Sequence, residues 1–151
     1  MPSTINASTS SGIVQTADTS GVLELQSNGT TAAAVSSSNL QFNSGYGSVA
    51  TAYGCRAWVN FNGTGTVAIR GSGNVSSITD NGTGNYFINF ASALTDANYS
   101  VTGIGGHVVG VVTTFSSVRE GTRTTSGVQV DYFTVSSTYY DTNDANIAVF
   151  R

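Results

Sequence analysis

Lysine is absent from all 151 residues, and Asp, Glu and Arg together make up only 9% of the chain. Its polarity rests instead on the hydroxyls and amides of Ser, Thr and Asn. The five arginines (Arg56, Arg70, Arg119, Arg123 and Arg151) are scattered, and the formal net charge is −3. No basic stripe exists for contact with a phosphate backbone, which argues against nucleic acid as a partner. With a single cysteine, Cys55, an intramolecular disulfide is excluded, and its place at the start of an apolar strand predicts a small buried side chain. The single histidine, His107, excludes a multi-histidine metal site, and no G-x-S-x-G elbow positions a nucleophile. We expect neither a metal nor a cofactor. No window reaches the roughly eighteen apolar residues needed to span a bilayer, and MPSTINASTSSGIVQ has neither a basic nor an apolar stretch. The expectation is therefore no signal peptide and no membrane insertion.

Glycine recurs throughout, and the apolar residues alternate or form short β-branched runs between turn residues, which predicts an all-β chain. Val22, Leu23 and Leu25 lead into Asn28-Gly29 and Thr30 to Val35 returns, the pattern of a hairpin whose two central residues take positive φ. NSGYGSVATA (43–52) reads as a flexible connection. It divides an N-terminal arm (1–45) from a head (46–151). Within the head, strands are predicted near Ala57–Phe61, Thr66–Arg70, Val75–Thr79, Tyr86–Phe90, Tyr99–Ile104, Val108–Phe115, Val128–Val135 and Asn146–Phe150. Eight short strands at this spacing suggest an antiparallel β-sandwich of jelly-roll-like form, preceded by a β-hairpin arm.

The run AWVNFNGTGTVAIRGSGNVSSITDNGTGNYFINFASALTDANYS (57–100) resembles a segment of bacteriophage tail-fibre and other virion proteins. In these a WVNFNGTGTVAIR-like strand pair is followed by SSITDNGTG and by DANYSVTG. The arm DTSGVLELQSNGTTAAAV is similar to the segment that precedes fibre heads in the same family, and the resemblance covers residues 18–104. It implies a homotrimer packed about a three-fold axis, located in the virion, with the arm joined to other virion proteins and the head turned to the host. The charge-poor surface fits that setting. Two alternatives stay open: a capsid decoration or head-fibre protein, and a hydrolase of envelope polysaccharide. A bacterial adhesin or lectin is disfavoured by the missing export signal.

Several motifs have plainer readings than the chemistry they suggest. Asn-x-Ser/Thr occurs at Asn6, Asn28, Asn62, Asn74, Asn81 and Asn98, three of them in Asn-Gly-Thr turns, and turn geometry accounts for them better than glycosylation. GIGGHV (103–108) lacks the helix a dinucleotide site needs and reads as a tight turn or a close backbone approach. A hydrolase requires two carboxylates across a cleft; most of the eight are turn residues, and a pairing such as Glu120 with Asp131 stays open. Two polar loops remain as recognition candidates. TYYDTNDAN (138–146) offers Tyr139, Tyr140, Asp141 and Asn143, aromatic faces beside hydrogen-bonding groups suited to a sugar. SSVREGTRTTSG (116–127) offers Arg119, Glu120 and Arg123, whose arginine forks suit an acidic sugar or a phosphate. The predicted receptor is a host surface glycan or an outer-membrane component.

Overall fold

The computed structural model describes residues 20–37, 39–43, 49–106 and 115–151. Among these no helix forms, and all regular structure is antiparallel sheet. The chain divides into two compact units, Met1–Ala52 and Tyr53–Arg151. His107 and residues 108–114 of the strand expected over Val108–Phe115 lie outside the described residues.

The first unit is a meander of β1 (Leu23–Ser27), β2 (Thr30–Val35), β3 (Leu40–Phe42) and β4 (Ala50–Thr51), paired in that order. Asn28 and Gly29 take φ of 50° and 74°, the mirror-image turn that matches the twist of paired strands. The unit exceeds the hairpin expected, because Ala50–Thr51 pairs with Gln41 and Phe42. A two-residue strand is too short to imprint a period on a sequence. Register places Leu23, Val35 and Leu40 in one cross-strand row and Leu25, Ala33, Phe42 and Ala50 in the next. Side chains two apart on a strand share a face, so these rows form one continuous apolar surface. Leu23, Leu25, Val35, Leu40 and Phe42 on it are each between 44% and 55% exposed.

The second unit is a sandwich of two four-stranded sheets. One has the order β6 (Ala68–Gly73), β5 (Cys55–Asn62), β12 (Ala145–Phe150), β9 (Ser100–Gly105). The other has the order β10 (Phe115–Val118), β11 (Gly127–Phe133), β8 (Asn85–Phe90), β7 (Val75–Asp80). The core follows from strand alternation. Ala57, Val59 and Phe61 of β5, Tyr86, Ile88 and Phe90 of β8, Val128, Val130 and Tyr132 of β11, and Ala145, Ile147 and Val149 of β12 all turn inward. Phe61, Tyr86 and Tyr132 meet edge to face, with centroids 5.1 to 6.4 Å apart.

Two expectations change. Cys55 is exposed, its Sγ 3.3 Å from the Ala57 carbonyl. By parity it would point inward with Ala57, but the register skips between Val149↔Ala57 and Phe150↔Cys55, and this bulge turns it out of phase. The polar stretch 116–127 is not one loop either. Ser116 to Val118 pair with Tyr132, Asp131 and Val130, so hydroxyl-rich residues form a sheet-edge strand and the loop shrinks to 119–126.

Asparagines anchor the corners. Asn74, at φ 55°, links the two sheets between β6 and β7, where its amide donates to the Arg56 and Ser92 carbonyls and its Oδ1 accepts from Ser92 N. Asn62 Oδ1 accepts from Thr64 N and Oγ1. These are the local bonds by which Asn stabilises turns.

Candidate functional site

Arg119 follows β10, and its carbonyl accepts from Thr122 N and Oγ1, which folds 119–122 into a tight turn with Gly121 at φ 73°. The guanidinium reaches across to the neighbouring strand. Its Nε lies 3.0 Å from Asp131 Oδ2 and its Nη2 lies 3.3 Å from Asp131 Oδ1. Asp131 is almost fully buried, so the two-pronged contact compensates a carboxylate withdrawn from water. The hydrogen bond and charge of Asp131 raise the Arg119 pKa above its ordinary value. The same Nη2 donates to the Tyr139 hydroxyl at 3.1 Å.

That last bond joins the two candidate loops. Tyr139 is positioned by a bridge to Phe133, and the following Tyr140 N donates to the Tyr132 carbonyl at 3.1 Å. Tyr139 and Glu120, which follows Arg119, are exposed at the junction, and Arg123 is exposed farther along the same loop, where its charge acts on Tyr99. The positive charge of Arg119 is already met by Asp131, so Arg123 is the cation of this loop open to an incoming anion. The carboxylate pair of the hydrolase reading meets the same geometry, because both oxygens of Asp131 are engaged by Arg119.

The other predicted residues go elsewhere. Asp141 turns inward: its Oδ1 accepts from Gly84 N at 2.7 Å and from the Tyr86 hydroxyl at 2.8 Å. Gly84 is there at φ 65°, and a side chain would collide with the Tyr132 carbonyl. Tyr140, beside Asp141, is half-buried. Asn143 is exposed, and its backbone carbonyl accepts from Arg70 Nη2. Arg70 also donates to the Phe61 carbonyl and lies 3.6 Å from Asp144 Oδ1. Among the described residues no three His, Cys, Asp or Glu side chains gather as metal ligands.

A third group was missed by sequence reasoning. Trp58 points outward from β5 at 47% exposure, opposite Gly73 on β6 and Ala148 on β12. A Cβ at Gly73 would strike the indole Nε1, and one at Gly71 would sit 3.4 Å from Cη2. Asn60, next on the same face, donates through Nδ2 to Asp144 Oδ1 at 2.6 Å and to Asn146 Oδ1 at 2.8 Å. Asn146 Nδ2 donates to Asp144 Oδ1 in turn. Trp58, Asn60, Asn146, Ala148, Thr102 and Ile104 line a shallow open depression of about 490 Å³. The signal was available in the alternation AWVNFN, which leaves a tryptophan on the polar parity.

No protein-family model and no curated protein matches the chain. Its structure is similar to that of the phiAB6 tailspike, solved in complex with three-repeated oligosaccharides of Acinetobacter baumannii surface polysaccharide. The TM-score is 0.53 at 15% identity, over 99% of this chain and 30% of the tailspike chain. This chain thus spans less than a third of the tailspike's length, and at that identity the likeness extends to the fold alone: an all-β chain with the architecture of part of a phage tailspike.

Proposed function

We propose that the chain is a non-enzymatic adhesion subunit of a phage virion, a tail-fibre or receptor-binding protein whose head contacts a glycan on the host surface. The observation that carries the reading is the joining of the two polar loops through Arg119 and Tyr139, with Glu120, Arg123 and Tyr139 left exposed on those loops. Loops held rigidly on a sandwich are the usual carriers of recognition. The fold likeness to a tailspike, itself solved with surface oligosaccharides, supports the setting. Binding over hydrolysis is supported by Asp131, a carboxylate spent on Arg119 rather than facing a cleft.

In this reading the first unit assembles the subunit into a homotrimer and attaches it to other virion proteins. Its continuous apolar face supports self-association, since the half-exposed Leu23, Leu25, Val35, Leu40 and Phe42 are buried further when a second copy covers them. The number three rests on the resemblance of the arm to fibre segments. Weak contacts of separate heads then add as avidity on one particle.

The test is binding of the labelled protein to a panel of bacterial cells. Replacing Glu120, Arg123 and Tyr139 together with Ala is expected to reduce cell binding at least about tenfold, the size of loss that follows from removing about 1.4 kcal/mol of contacts. Equal binding by the parent and the triple variant would remove the loop junction from the receptor site.

A further inference from the structure

We infer that the outer face of the β6-β5-β12-β9 sheet is a second glycan site, in which the Trp58 indole stacks against one pyranose ring of a bacterial surface polysaccharide and the Asp144–Arg70–Asn60 cluster bonds its hydroxyls. The inference rests on the adhesion reading for its biological setting, but its chemistry stands on separate residues.

The first argument is the cost of the arrangement. Along β5 the outward positions are Trp58, Asn60 and Asn62, so the one tryptophan of the chain sits on the polar side. Burying it in the sandwich would gain far more from the hydrophobic effect. Its partner strand, moreover, carries glycine at both positions under the ring. Glycine in a strand is less favourable than alanine, and commonly marks a close approach of another group. Here the indole lies along β6, its pyrrole edge over Gly73 and its benzene end over Gly71. A bulky neighbour at either position would stand the ring up. With both absent, the ring is laid down and held with about half of its surface open.

The second argument is the polar cluster beside the ring. Asp144 accepts from Asn60 and Asn146 and lies 3.6 Å from Arg70, yet the Asp144 and Arg70 side chains remain 52% and 46% exposed. They are fixed by these mutual bonds and still face solvent, which supplies an oriented acceptor and an oriented donor. Trp58 and Asn60 are two residues apart on one strand, about 7 Å. One sugar ring spans that distance, its C–H face on the indole and its hydroxyls at the cluster. Aromatic body plus a few placed polar groups is the ordinary make-up of small-ligand sites.

A second copy of the chain fits this face less well. Interface cores are depleted of charged residues, whereas this depression is flanked by a half-exposed carboxylate and guanidinium. The apolar sheet of the first unit, which bears no such charges among its exposed leucines, is the better surface for self-association.

Because the chain has one tryptophan, emission excited at wavelengths its tyrosines do not absorb reports this indole. We would titrate the full chain with capsule and O-chain oligosaccharides, fractionated from the cells it binds, and follow indole emission. Saturable quenching or a blue shift is expected in the parent and in Asp144→Ala, while affinities of all variants, including the two that lack an indole, are read by titration calorimetry: at least about tenfold weaker in Trp58→Ala, partly recovered in Trp58→Phe, and severalfold weaker in Asp144→Ala. Melting temperatures of the variants confirm that each is folded. Oligosaccharide binding with unchanged emission and unchanged affinity in Trp58→Ala overturns the inference, as does dissociation of an oligomer by that substitution. Equal binding to cells stripped of polysaccharide also overturns it while leaving adhesion standing. Loss of cell binding in the loop variant alone, with the Trp58 titration intact, separates the two sites.

Discussion

Tyr86 concentrates several demands in one side chain. It is fully buried, its ring packs against Phe61 and Tyr132, and its hydroxyl lies 2.8 Å from both the Gly63 carbonyl and Asp141 Oδ1. Gly63 is glycine because a Cβ there would meet this hydroxyl and the Thr142 carbonyl. Burial, then the hydrogen bond and charge of Asp141, push the Tyr86 phenol well above its ordinary value of 10.0. The folded state therefore holds this proton more tightly than the unfolded state. Its contribution is fully present below pH 10.0 and is lost as pH rises from there toward the folded value. Burial raises the Tyr132 and Tyr99 phenols in the same direction. Tyr86→Phe is expected to cost about 1–2 kcal/mol near neutrality, by removing the hydroxyl shared between the buried Gly63 carbonyl and Asp141 Oδ1, which keeps only the Gly84 amide. It should also flatten part of the alkaline loss of stability. Urea melts of parent and variant at neutral and alkaline pH measure both effects, and parallel curves would show that Tyr86 is not the group that titrates.

At the scale of elements, β10, β11 and the 119–126 turn form one device: a sheet-edge hairpin pinned by Arg119 and Asp131. Removing Asp131 leaves a half-exposed arginine, and removing Arg119 leaves a buried carboxylate, so the two substitutions differ in cost. Arg119→Ala, which strands a buried carboxylate, should destabilise more than Asp131→Asn, with the double variant less stable than the parent by clearly less than the sum. Thermal melts of the cycle check this, and strict additivity would mean the pair does not couple. Strands of this kind were legible wherever alternation was strong. AWVNFN, NYFINF and ANIAVF state their inner faces directly, and Asn28-Gly29 announces its turn. β4 was illegible because two residues carry no period, and β10 because its hydroxyl-rich residues read as loop until backbone pairing is seen. Cys55 was misread because a bulge lies in the pairing, not in the residue. The site was only half visible. Loop composition located Arg119 and Tyr139, but nothing local says that they touch, or that Asp141 faces a tyrosine rather than solvent. Trp58 and its glycines required the register of β5 against β6.

The whole chain joins two units of opposite character. The sandwich buries its apolar residues against itself, whereas the meander of the first unit leaves Leu23, Leu25, Val35, Leu40 and Phe42 about half exposed on one face. Exposed apolar patches of that kind mark association surfaces. Leu25→Asp together with Phe42→Asp is expected to convert a self-associated protein into a monomer while the sandwich keeps its melting transition. Light scattering and calorimetry read the two effects separately, and an unchanged mass would remove this face from assembly. Within the sandwich, β5 and β12 are central neighbours although Asn60 and Asn146 lie 86 positions apart. A ribosome adding about 5–20 residues per second needs roughly 4–17 s between making one and the other. For that interval the nascent head holds β5 with one edge unmet, so its folding clock is set by translation, and any slowing of synthesis over the intervening codons prolongs the time in which neighbouring nascent copies can capture the wrong strand.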